Sequence, residues 1–297
     1  MSSNDPKLPP ELEMKVFELS ARLHPENIPN LLRIAHRVLT WIEPILYETL
    51  IFSSSKPLRK RRYVLERKPP TFWAKSVRTM LISGNFNTSR DKDLVFSILS
   101  ACIGIESFMA LHPVTEHLLP FLGPMRLKRL NVDIGKLFGP QVSSCDLHLD
   151  PTFSGLTHLT FTNIDTFTFR LGAVSTTLPL LPELTHLRFE VPRLTTSAVT
   201  PFLDTCKRLQ VLINTHGMLR FGPPARVLGA DTDGFYDDPR FVLLGSRLRG
   251  DNDVELRGGP WDSWTRAETF IQKKRRGEIV PASRCWIEES DMIPLVP

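Results

Sequence analysis

The chain has 297 residues, 41% of them hydrophobic, and a formal net charge of +5. That length supplies enough apolar material for one large core, or for a small module joined to a larger one. No apolar run approaches the roughly 18–20 residues of a membrane helix, and the four cysteines, Cys102, Cys145, Cys206 and Cys285, are too dispersed for a zinc cluster or a disulfide framework.

The first residues, Met1-Ser2-Ser3-Asn4-Asp5-Pro6, lack the charged-then-apolar layout of a secretory signal. A cytoplasmic and/or nuclear location is therefore expected, with cysteines acting as small buried hydrophobes in a reducing compartment. Residues 8–52 predict three short helices. Leu12, Val16, Leu19 and Leu23 recur at helical spacing, with Pro9 and Pro10 at the entry and Glu11 and Glu13 suited to a helix N-terminus. A second helix, beyond Pro25 and Pro29, carries Leu31, Ile34, Ala35 and Val38, and Pro44 is expected to open a third. Three such helices expose more apolar surface than they can bury among themselves, so part of it should meet a partner. The alternative is a helical cap for the domain that follows.

The residues Leu8-Pro9, Glu11-Leu12, Val16-Phe17, Leu19, Leu31, Ala35, Val38 and Trp41 carry a resemblance to the F-box. This is the segment of about 45 residues through which substrate receptors dock on the Skp-type adaptor of cullin–RING ubiquitin ligases. The stretch Trp41-Ile42-Glu43-Pro44-Ile45-Leu46-Tyr47 is similar to the variant found in fungal F-box-like proteins. Around His36-Arg37 the chain departs from the Cys-Lys/Arg-x-Trp stretch usual in the family. The resemblance implies adaptor docking through Leu8, Pro9, Leu12, Val16, Phe17, Leu19, Leu31, Ala35 and Val38.

Residues 53–72 carry seven cations against Glu66 alone, a local +6 that leaves −1 for the rest of the chain. The run predicts a solvated, flexible or extended basic linker. A nuclear localisation signal at Lys60-Arg61-Arg62 or Lys273-Lys274-Arg275-Arg276 is a sharper option. Because the basicity sits in one segment, the folded parts show no nucleic-acid footprint, and a nucleic-acid partner is not expected.

From residue 73 a Leu-x-x-Leu-x-Leu frame recurs. It appears at Val77/Met80/Ile82/Asn85, Ile105/Phe108/Ala110, Leu127/Leu130/Val132, Leu156/Leu159/Phe161, Leu184/Leu187/Phe189 and Leu209/Leu212. Successive starts differ by 28, 22, 29, 28 and 25 residues, close to the period of leucine-rich repeats. Helical patterns fall between frames, as at Leu94, Val95, Ile98, Leu99 and Cys102. This region resembles the degenerate repeats that follow the box in many F-box proteins. The expected fold is thus α/β: a helical module over 1–52, the linker, a leucine-rich-repeat-like solenoid with a parallel sheet over 73–217, and a C-terminal cap over 218–297. In the cap, Asp231-Thr232-Asp233-Gly234 and Asp237-Asp238-Pro239 signal loops, Phe241–Leu244 a buried strand, and Trp264, Ala267, Phe270 and Ile271 one face of a helix.

Motifs for phosphate cradles, nucleophile elbows or metal-binding helices are missing from the sequence. No catalytic residue, cofactor or metal is expected. In strand alternation the residues beside the frame leucines point away from the core. Arg129, Asn131, His158, Thr160, His186 and Arg188 should therefore share one exposed, concave surface, the face solenoids use for partners. The expected function is non-catalytic: a substrate-recognition adaptor holding an unknown protein target near a ubiquitin ligase. The rivals are a repeat-based interaction scaffold without ligase docking, and a nucleic-acid-associated protein using the basic linker.

Overall fold

A computed structural model describes residues 8–53, 59–83, 89–111, 118–137, 148, 150–162, 174–190, 196–216, 238–245 and 262–292. Cys145, Asn85, most of the Asp231–Asp238 loop and part of the basic run lie outside them.

Helix α1 spans Pro10–Leu23, entered as predicted through proline with Glu11 and Glu13 in its first turn. A short 3-10 turn leads to α2, Ile28–Leu31, and then α3, His36–Leu46. The expected second helix is therefore split. Pro44 does not open a third helix but lies in the last turn of α3. Lacking an N–H, it forfeits one bond of the helical ladder, close enough to the end that little remains to lose. The three helices hold together through a small core of Ala21, Ile28, Val38 and Ile42, with Phe17, Leu31 and Trp41 packed against it. Two ion pairs tie the ends, Arg37 to Glu13 and Arg22 to Glu48, each at 2.8 Å.

The sheet begins earlier than the frame suggested. Strand β1, Thr49–Phe52, lies inside the segment expected to be wholly helical. Then come β2 Thr79–Ile82, β3 Ser107–Ala110, β4 Arg129–Val132, β5 His158–Phe161, β6 His186–Phe189, β7 Val211–His216 and β8 Phe241–Gly245. All eight are parallel, each paired with the next in sequence. All six frames thus became strands. One register row runs through Leu50, Met80, Phe108, Leu130, Leu159, Leu187, Leu212 and Phe241. Frame positions four and six, two residues apart within the strand, share one face. Tyr47-x-x-Leu50-x-Phe52 has the same spacing thirty residues before Val77. That spacing is the signal by which β1 could have been found.

The connecting helices cover this face. They are α4 Arg59–Arg67, α5 Pro70–Ser76, α6 Ser89–Ala101, α7 Leu119–Leu122, α8 Ile134–Leu137 and α9 Thr196–Thr205. They contribute Leu65, Trp73, Val95, Ile98, Leu99, Leu122, Val199 and Phe202 to one continuous core with the strand row. The basic segment is accordingly not an extended connector. Its helices are held down by Leu65 and by edge-on contacts among Tyr47, Phe72 and Trp73, whose ring centroids lie 5.3–5.5 Å apart. Arg62 and Lys68 pair with Asp91 and Glu43 at 2.7 and 2.6 Å.

The other face of the sheet is covered at its C-terminal end by the helix α10, Ser263–Arg275. Its Trp264, Ala267, Phe270 and Ile271 meet Val211, Ile213, Val242 and Leu244 in a second apolar cluster. The helix was expected to close the end of the sheet. It lies instead across the strand face, because that face over β7 and β8 is as apolar as the first. Burial on both faces is the ordinary condition of a parallel sheet.

Candidate functional site

Two surfaces follow from this architecture. The first is the apolar stripe of α1. Leu12, Val16, Leu19 and Leu23 are 48, 57, 58 and 65% exposed, and Leu8 and Ile34 lie in the same range. They are spare because the module's core is built from the opposite side of α1, at Ala21 and Phe17. Pro9 is exposed, and Phe17, Leu31 and Ala35 are half-buried. Val38 is 1% exposed and belongs to the core, so of the residues expected at the docking surface it is the one that supports rather than presents.

The second surface is the polar face of β4–β6. Register brings the predicted residues together in two rows: Arg129, His158 and His186 in one, Asn131, Thr160 and Arg188 in the other. They share a side, as the alternation requires, but they are not openly exposed. Asn131, Thr160, His186 and Arg188 are only 4–8% exposed, and the N-terminal half of α10 lies over His186 and Arg188. Sequence reasoning missed the partners this helix brings. Its signal, Asp262-Ser263 ahead of an apolar face, is an ordinary helix cap, and Asp262 Oδ1 does accept from the Trp264 amide.

The seam is hydrogen-bonded in detail. Arg188 donates from Nε to Thr215 Oγ1 at 2.9 Å and from Nη1 to Ser263 Oγ at 2.8 Å, while Nη2 pairs with Glu190 at 3.0 Å. His186 Nε2 lies 2.9 Å from Glu268 Oε1. A carboxylate there can only accept, so Nε2 carries the proton and Nδ1 is left to accept from Thr185 Oγ1 at 2.8 Å. His158 stacks on His186 with centroids 4.1 Å apart, and Trp264 stands edge-on to both rings. Arg129 approaches Asp262 at a looser 3.8 Å.

Burial pushes the His158 imidazole down to about 3, helped by His186 and the Arg129 guanidinium. Burial also lowers His186, against the opposing pull of Glu268. Both rings are therefore neutral at physiological pH, which is what permits their stacking. Beside them a small pocket of about 30 Å³, open to solvent, is lined by Ser107, Met109, Arg129, Asn131, His158 and Trp264, and Arg129 remains partly accessible. Asn131 Oδ1 in its wall has no hydrogen-bond partner among the described residues.

The repeated Leu-Thr-His-Leu has a structural use as well. Thr157 Oγ1 donates to the Lys128 carbonyl, bonding back onto the preceding strand's approach, whereas the Thr185 hydroxyl, whose one hydrogen goes to His186 Nδ1, only lies 3.3 Å from the Thr157 carbonyl. Among the described residues, no group of three or more His, Cys, Asp or Glu could hold a metal ion, and no helix is long and apolar enough to cross a membrane. In comparisons with known proteins, no family model matches the chain, and no curated protein matches it either.

Proposed function

We propose that the protein is a non-enzymatic recognition subunit whose N-terminal helices dock a Skp-type adaptor of a cullin–RING ubiquitin ligase, with a leucine-rich-repeat-like solenoid behind them. The observation that carries this reading is the exposed stripe Leu12, Val16, Leu19 and Leu23 on a module that already has its own core. An apolar row left over after internal packing is the kind of face that seats another protein. The all-parallel, sequential strand order and the 22–29-residue spacing support the solenoid part. The mechanism would be proximity: one end holds the ligase, the other the target, and the tether raises the local concentration of one near the other. The target would meet the accessible end of the polar rows, at Arg129 and His158, or the whole of them if α10 moves aside.

The test is capture of a purified Skp-type adaptor by the full-length chain. The double substitution Leu12→Glu with Leu19→Glu keeps two good helix formers at exposed positions, so circular dichroism and thermal melting should be unchanged while capture is lost. Undiminished capture by the folded double variant removes the docking surface proposed. Failure of the unaltered chain to bind the adaptor removes ligase docking and leaves an interaction scaffold.

A further inference from the structure

We propose that the N-terminal half of α10 is an acid-sensitive latch over the polar face of β4–β6, with His158 as the group whose protonation opens it. The helix makes two unlike sets of contacts. Trp264, Ala267, Phe270 and Ile271 pack along its length on Val211, Ile213, Val242 and Leu244. Polar contacts are confined to its N-terminal half, where Glu268 meets His186, Ser263 meets Arg188 and Asp262 lies near Arg129, around the stacked histidines. The apolar contacts are indifferent to pH, whereas the polar ones depend on which groups carry charge.

The charged groups facing the pair decide which ring matters. From α10 come Glu268 and Asp262, from β4 Arg129, and from β6 Arg188 with its partner Glu190. A proton on His186 would be met by Glu268 at 2.9 Å. A proton on His158 would meet the His186 ring stacked on it and the cation of Arg129. Its Nδ1 contact is the Thr157 hydroxyl, which carries no charge to answer it. Lifting Trp264 and Glu268 away would give that proton water, so protonation and opening favour each other.

The sign follows from the direction of the shift. His158 is held below its ordinary value when covered, so the open form binds more protons, and closure weakens as pH falls below about 6.5. Taking 6.5 for the open form and about 3 for the closed one, the opening equilibrium should rise roughly 30-fold between pH 7.5 and pH 5. The latch stands apart from any reading of what the protein docks.

The experiment is hydrogen exchange by mass spectrometry on the full chain, corrected for intrinsic rates. Residues 264–268 should lose about 30-fold protection between pH 7.5 and pH 5, while β5 and β6 stay protected. His158→Gln, which cannot titrate, should abolish that dependence. His186→Gln should loosen the segment at every pH, because the bond to Glu268 goes, yet keep a pH dependence. Wild-type protection constant to within about threefold, or an undiminished fall in His158→Gln, would overturn the latch. If His158→Gln does not fold, the ring-proton titration of the unaltered chain decides. A His158 midpoint well below 6 supports the latch, and one near 6.5 with α10 still protected refutes it.

Discussion

Replacing Leu159 by alanine isolates what the strand row contributes. Leu159 is 0% exposed, the second residue of β5, with Leu130 and Leu187 beside it in register on neighbouring strands. The substitution removes three carbons. At about 0.8 kcal/mol per buried CH₂ the transfer loss is about 2.4 kcal/mol. Strands on both sides restrain collapse, so a cavity contribution adds to it and the total should fall within about 2–5 kcal/mol. Urea unfolding followed by far-ultraviolet circular dichroism should show a lower midpoint at unchanged slope, since the surface exposed on unfolding barely changes. Leu19→Ala is the control. The same chemistry at a position 58% exposed should shift stability by less than about 0.5 kcal/mol. If Leu159→Ala costs under about 1 kcal/mol, or no more than Leu19→Ala, the row of frame leucines is not the packed centre of the sheet and the register argument fails.

Arg284 and Asp291 form a two-pronged pair at 2.8 Å, with both side chains under a tenth exposed. Arg284→Met should cost about 3–5 kcal/mol in urea unfolding because it strands a buried carboxylate, and adding Asp291→Leu should restore most of it. Gly104→Ala should destabilise by about 1–3 kcal/mol in the same assay, since a Cβ there would run into the Ala74 carbonyl oxygen and the Arg78 guanidinium. Burial would raise the Asp238 carboxyl, but hydrogen bonds from the Arg240 backbone and guanidinium outweigh it and hold the group below its ordinary 3.8. Its contribution is therefore complete above 3.8 and lost as pH falls through the lower, folded value, so the stabilities of the chain and of Asp238→Asn should converge in acid.

The frame residues show why so much of the fold is legible. A strand whose leucines fall at frame positions four and six must turn them to one side, and the position-one residue, two residues ahead of the strand, joins the same core from the approach. Repeating that unit every 22–29 residues places the next strand beside the last. Six strands and most of the core could be written down from spacing alone. Strand β1 escaped because Tyr47 stands where the frame elsewhere carries an aliphatic residue, and because the segment around it reads as helical. The basic segment was hidden by its charge. Its fold depends on Leu65 in α4 and on the aromatic trio of Phe72 and Trp73 in α5 with Tyr47 just beyond α3, which local spacing does not bring together.

What the sequence determined by itself was periodic and local: the cap and stripe of α1, the strand frame, and the common side of Arg129, His158, His186 and Arg188. What covers that side was decided only in three dimensions. The contacts that bury His186 and Arg188 reach 82 and 75 residues along the chain, to Glu268 and Ser263. No spacing rule spans such a separation. Polar alternation in β4–β6 reads as solvent exposure until a helix supplies hydrogen-bond partners for His186 and Arg188. Burying a polar side chain is costly only when it is unpaired. The helix that pairs these groups is held in place by an apolar contact with β7 and β8, two strands farther on.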